Sequence, residues 1–268
     1  MDVYNSHGNL SSKTIKRFIK NWNNNCLKEI CKKIYKIINM IILAYAAMII
    51  LFLASVIISW RFKSVAKKYS EFGLSSGLSG AEMAKRILQD NGLHDIQIIS
   101  IEGQLSDHYN PADKTVNLSP EVYHGRSVLA AAVATHECGH AIQHAKAYSW
   151  LEFRSTLAGP LTISSRYMQW ILLAGIILIN TSIGKPLLGA GIVLYALTTL
   201  FSFITLPVEF DASRRAMAWL STSGLAKPDE LDNAKKALNW AASTYVVAAM
   251  ASLATLVYYV LIYMGRRD

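Results

Sequence analysis

Two histidines four residues apart with a glutamate between them are the residues best suited to chemistry: His136-Glu137-Cys138-Gly139-His140. Four residues of α-helix turn about 400° and rise about 6 Å, so both imidazoles project from one face and can grip one zinc ion. Glu137 then stands beside the metal, placed to take a proton from an attacking water and hand it to a leaving amine. The pattern is HExxH, and chance placement at this composition produces it in fewer than about one chain in a hundred. The chemistry implied is hydrolysis of a peptide bond, with Glu137 catalytic and His136 and His140 as metal ligands.

A catalytic zinc takes three protein ligands and keeps one open position. His144 continues the four-residue series, but it lies about 12 Å along the helix from His136, too far to share an ion through Zn–N bonds of about 2 Å. It reads as a surface residue or one that supports a ligand. A histidine six residues after His140 would complete another arrangement, and that position holds Lys146. Glu209, in Leu206-Pro207-Val208-Glu209-Phe210-Asp211-Ala212-Ser213-Arg214-Arg215, is the stronger candidate. Asp211 is its rival from the same segment, and Glu152 a weaker one. His108, Tyr109 and Arg214 are candidates for polarising a scissile carbonyl. Arg214 and Arg215 also suit lipid head groups.

The histidines need a helix, and Ser127 followed by Val-Leu-Ala-Ala-Ala-Val-Ala-Thr begins one. Upstream, Ser79-Gly80-Ala81-Glu82 is a capping box, with Ala84, Ile87 and Leu88 at helical spacing and Gly92 as a stop, so a helix is predicted over 80–91. The β-branched run 96–102 predicts a strand, Asn110-Pro111-Ala112-Asp113 a turn, and Thr115–Leu118 a second strand. A hairpin is therefore expected before the HExxH helix, offering an edge for an extended substrate.

The larger frame comes from charge. The chain has 268 residues, 52% hydrophobic and only 17% charged, with a net charge of +9. That excludes a disordered protein and is too apolar for a typical soluble enzyme. Four stretches contain no Asp, Glu, Lys or Arg: 37–60, 167–184, 186–208 and 237–265. A helix needs about 20 apolar residues to span a bilayer, so each is long enough to be a transmembrane helix. The second and third, separated by Lys185, predict a helical hairpin. The remainder divides into a basic arm (1–36), a peptidase lobe (61–166) and a return loop (209–236). The arm suits a membrane surface; no nucleic-acid partner is expected because no binding fold accompanies it. Cys26, Cys31 and Cys138 are too few and too scattered for a disulfide framework.

Three segments together resemble the YugP-type membrane zinc metallopeptidases: 136–144, Ser106-Asp107-His108-Tyr109-Asn110-Pro111, and 206–213. The resemblance extends from about residue 40 to the C-terminus. More distantly the chain is similar to the HtpX and CAAX prenyl protease group, where a Glu-Phe-x-Ala-Asp type of segment on a later helix supplies the third ligand. That resemblance implies Glu209 as the ligand. Ser213 stands where the distant group has an aspartate supporting a zinc histidine, and Asp211 is the residue available to take that part.

The expected protein is mainly α: a multi-pass helical membrane protein with a small α+β zincin-like lobe carrying HExxH, one Zn²⁺, a polypeptide substrate and the lipid bilayer as partners. Two alternatives stand beside the membrane endopeptidase. An intramembrane site-2-type protease would place HExxH inside an apolar span, whereas this helix is bounded by Arg126 and Lys146. A non-catalytic zinc-binding or scaffold protein would keep the metal without turnover. Counting on the lobe side only the Lys and Arg near the span ends and in the return loop gives eleven against eleven, a tie under the positive-inside rule. Starting at Met40, where the resemblance begins, leaves three against eleven and puts the zinc site on the cytoplasmic side.

Overall fold

The computed structural model describes residues 12–103 and 106–265. Residues 1–11 of the predicted arm and Arg266 and Arg267 lie outside the described residues. From Ser12 onward the arm is not separate from the first apolar stretch. One helix, α1 (Ser12–Ser70), runs through both and past Trp60. At about 1.5 Å per residue it exceeds the thickness of a bilayer by more than a factor of two.

The lobe follows its local signals. Ser79 accepts from the backbone N–H of Glu82, whose carboxylate accepts from the N–H of Ser79, and this capping box opens α2 (Gly80–Asp90). Three strands come next: β1 (Gln97–Ser100), β2 (His108–Asn110) and β3 (Thr115–Leu118). The hairpin is not the one the spacing predicts. β1 runs parallel to β3, and the antiparallel partner of β3 is β2, giving the order β1-β3-β2. The 110–113 turn does reverse the chain, but it joins β3 to three residues too few to show an alternation. A short α3 (Pro120–Tyr123) leads into α4 (Val128–Ala145), capped by the Ser127 hydroxyl, which accepts from the N–H of Ala130.

α5 (Ser149–Ile177), α6 (Gly184–Thr222) and α7 (Pro228–Met264) complete the chain. Three of the described helices are long and apolar enough to cross a membrane: α1 over Ile38–Ser70, α6 and α7. The predicted span 167–184 is not a helix of that kind. α5 stops at Ile177, the chain turns at 178–183, and Arg166 and Gln169 dilute the apolar end. This end nevertheless lies along α6: a Cβ on Gly175 would come within 2.6 Å of the backbone of Leu188, a closeness only glycine permits.

Two apolar clusters set the position of α4. On one side Ala134, Cys138 and Ala141 pack with Ile87 of α2 and with Val116 and Leu118 of the central strand. On the other, Val128, Ala131 and Ala132 meet Leu220 of α6 and Leu238 of α7. The run of alanines lets these helices approach α4 closely. Gly139 allows the closest approach, against the carbonyl of Ala212.

Candidate metal centre

That contact brings the C-terminal half of α6 against the HExxH face of α4. His136, His140 and Glu209 converge, each offering one ligand atom within 4.8 Å of the others. Glu209 Oε2 lies 3.3 Å from His136 Nε2 and 3.6 Å from His140 Nε2. Two ligands at about 2.0–2.1 Å from a tetrahedral zinc stand roughly 3.3 Å apart, close to both Glu209–histidine separations. Two imidazoles and one carboxylate also match the donor preference of zinc. In the metal-free protein, burial alone would lower the pKa of His140, but its bond to Glu209 and the charges of Glu137 and Glu209 raise it above the ordinary value.

Each ligand candidate is held from behind. His136 Nδ1 lies 3.1 Å from the Ser213 hydroxyl, so Ser213 itself occupies the supporting place that its loss of a carboxylate left in question. Asp211 does not replace it there. Asp211 acts on the other histidine through an amide: Gln143 Oε1 lies 3.0 Å from His140 Nδ1, while Gln143 Nε2 donates to Asp211 Oδ2 (2.9 Å) and to the Val208 carbonyl (2.8 Å). Gln143 is fully buried, and Arg215 and Arg214 both donate to Asp211. Arg154 of α5 donates to Glu209 Oε1 at 3.0 Å, leaving Oε2 turned toward the histidines. Supporting partners of this kind orient metal ligands and fix histidine tautomers.

The remaining candidates are placed apart from the cluster. His144 Nδ1 pairs with the Tyr109 hydroxyl at 3.1 Å, and His108 Nδ1 with the Ser106 carbonyl at 2.7 Å. Both line the approach to the cluster without joining it. Arg214 is mostly exposed and spends its guanidinium on Asp211. Asp211 and Glu152 do not belong to the group of potential ligands. Sequence reasoning missed Gln143 and Arg154. Gln143 had a signal, since it lies three residues after His140 on the same helical face. Arg154 had none.

Two cavities meet at the cluster, both lined by His136, Glu137 and Glu209. One, of about 280 Å³, is polar and bordered by β2 and α5. The other, of about 200 Å³, lies between α1, α4 and α7. Glu137 is almost buried and faces both, so a chain laid across the junction passes its carboxylate.

Residues 44–264 match the family model described as "Putative neutral zinc metallopeptidase". The chain belongs to this family. A relative from Bacillus subtilis (strain 168), described as "Putative membrane protease YugP", is 41% identical over 209 residues, which cover 78% of this chain and 91% of that protein. No solved structure matches the chain. The family match runs from α1 through α7, so it takes in the lobe and all three apolar helices.

Proposed function

We propose that this chain is a membrane-embedded, zinc-dependent endopeptidase that cuts membrane or membrane-proximal polypeptides. The observation that carries the reading is the convergence of His136, His140 and Glu209 beside Glu137, with Glu209 Oε2 3.3 Å and 3.6 Å from the two Nε2 atoms. His136, His140 and Glu209 hold one zinc ion; when bound, the ion supplies Lewis acidity that activates a water and polarises the scissile carbonyl. Glu137 accepts the proton of the attacking water and delivers it to the leaving amine. Ser213 and the Gln143–Asp211 pair orient the two imidazoles, and Arg154 turns the Glu209 carboxylate.

The chain is multi-pass on this reading. The stretches 37–60, 186–208 and 237–265 cross the bilayer, with 167–184 entering it as the hairpin partner of 186–208. Residues 61–166 and 209–236 form the zincin-like lobe on the cytoplasmic side, next to the membrane, and residues 1–36 are a basic arm. An HExxH helix flanked by Arg126 and Lys146 and packed in the lobe disfavours a site buried in mid-bilayer.

Metal analysis of purified wild type beside Glu209→Ala and Glu137→Gln tests the assignment. One zinc per chain is expected in wild type and Glu137→Gln, with loss in Glu209→Ala; peptide cleavage should be confined to wild type. Stoichiometric zinc in Glu209→Ala removes Glu209 from the ligand set. Zinc retained without cleavage by the wild type favours a scaffold.

A further inference from the structure

The 200 Å³ cavity has two different ends. One end is formed by His136, Glu137 and Glu209, the residues of the proposed metal centre. The remaining lining is mostly apolar, with Phe62 from α1, Leu129 and Val133 from α4, and Leu238, Ala241 and Ala242 from α7, and it also includes Asp107, Ser213, Thr244 and Tyr245. Its lining, among the described residues, includes no lysine or arginine that could hold an acidic side chain, while Asp107, Glu137 and Glu209 would repel one. An apolar cavity of about 150 Å³ already accommodates benzene, so this one has room for one leucine or phenylalanine side chain. The cavity on the other side of Glu137 is richer in polar side chains, bordered by His108, Tyr109, His144 and Arg154.

We propose that the apolar cavity is the subsite that decides where a polypeptide is cut, taking a single large aliphatic or aromatic side chain from the residue adjoining the scissile bond. The residue on the other side of that bond lies in the polar cavity. This rests on the peptidase reading above and adds a substrate class to it: chains with an apolar residue next to the cleaved bond, polar beyond it. Phe62 lies just past the 37–60 stretch and Leu238 to Ala242 at the start of the 237–265 stretch, so the cavity stands at the ends of apolar helices. Ala241 and Phe62 control its size: a larger residue at 241 fills it, and a smaller one at 62 enlarges it.

The test uses the zinc-loaded full chain in detergent and quenched peptides that differ at one position, with Leu, Phe, Ala, Trp or Asp there. Wild type should favour Leu and Phe over Asp by about tenfold or more in kcat/KM, the range that apolar pocket fit supplies. Ala241→Leu should move the preference to Ala, and Phe62→Ala should admit Trp. Binding of the same peptides to zinc-loaded Glu137→Gln, read by fluorescence anisotropy, should give the same ranking without turnover. Equal handling of Leu and Asp peptides in cleavage and binding overturns the subsite, as does an unchanged ranking in both size variants. Selective binding with no cleavage by the wild type overturns the peptidase reading and leaves the subsite standing.

Discussion

Gly139 and Ala212 leave no room for a side chain between α4 and α6: a Cβ on Gly139 would lie 2.6 Å from the Ala212 carbonyl oxygen. The obstacle is backbone, which cannot swing aside, so the spacing between the two helices depends on the glycine inside the HExxH motif. The same spacing puts Glu209 within reach of both histidines.

Gly139→Ala should therefore separate α4 from α6 and weaken metal binding while leaving every proposed ligand in place. Overpacking of this kind costs about 1–3 kcal/mol. Zinc affinity by chelator competition should drop at least about tenfold, and thermal unfolding should shift down. Unchanged zinc affinity would show that the helices can yield.

Gln143→Leu keeps the bulk of the side chain and removes its amide. His140 then loses its partner at Nδ1, and Asp211 keeps only its arginines. Loss of such a support typically lowers metal affinity by about 10–100-fold. Ser213→Ala does the same for His136, and the two effects should combine. Wild-type affinity in both single variants would reduce these contacts to packing.

On the proposed ligand set, protons compete with metal at His140. The metal-free protein holds its proton to a higher pH than an ordinary histidine, because Glu209 and Glu137 outweigh the effect of burial. Zinc needs the neutral ring, so affinity should fall as the pH is lowered, and zinc uptake below the raised pKa should release a proton from His140. Calorimetric titration in two buffers of different ionisation enthalpy counts the protons. No buffer dependence at mildly acidic pH would contradict the assignment.

Cys138 sits inside the motif but takes no part in the centre. It is fully buried among Ala84, Val116 and Leu118, and burial pushes its thiol well above the ordinary range. A maleimide at neutral pH should label exposed Cys31 and spare Cys138 until the protein is unfolded, as mass spectrometry of peptides would show. Rapid labelling of Cys138 in the native protein would mean that α4 opens.

The parts of this molecule legible in the sequence are those set by local rules. The capping box at Ser79, the Ser127 cap and the four-residue spacing of the histidines each act within one helical turn, and α2 and α4 appear where those signals place them. β2 escaped because three residues carry no period, and its absence turned a parallel pairing of β1 and β3 into an expected hairpin. The first charge-free stretch ends at Trp60, yet nothing in the backbone stops α1 there. Arg154 reaches Glu209 from a different helix 55 positions away, a relationship that spacing along the chain does not record. Ser213 was legible only as a missing carboxylate; its hydroxyl proved sufficient to reach His136.

The division of the proposed ligands between α4 and α6 bears on how the protein is made. The ribosome delivers the two histidines well before Glu209, with all of α5 and most of α6 in between. A nascent chain thus has an incomplete set of donors throughout synthesis of residues 61–208. On the proposed reading, peptidase activity begins only after the later helices have been inserted and packed, which would keep a nascent chain inactive until then.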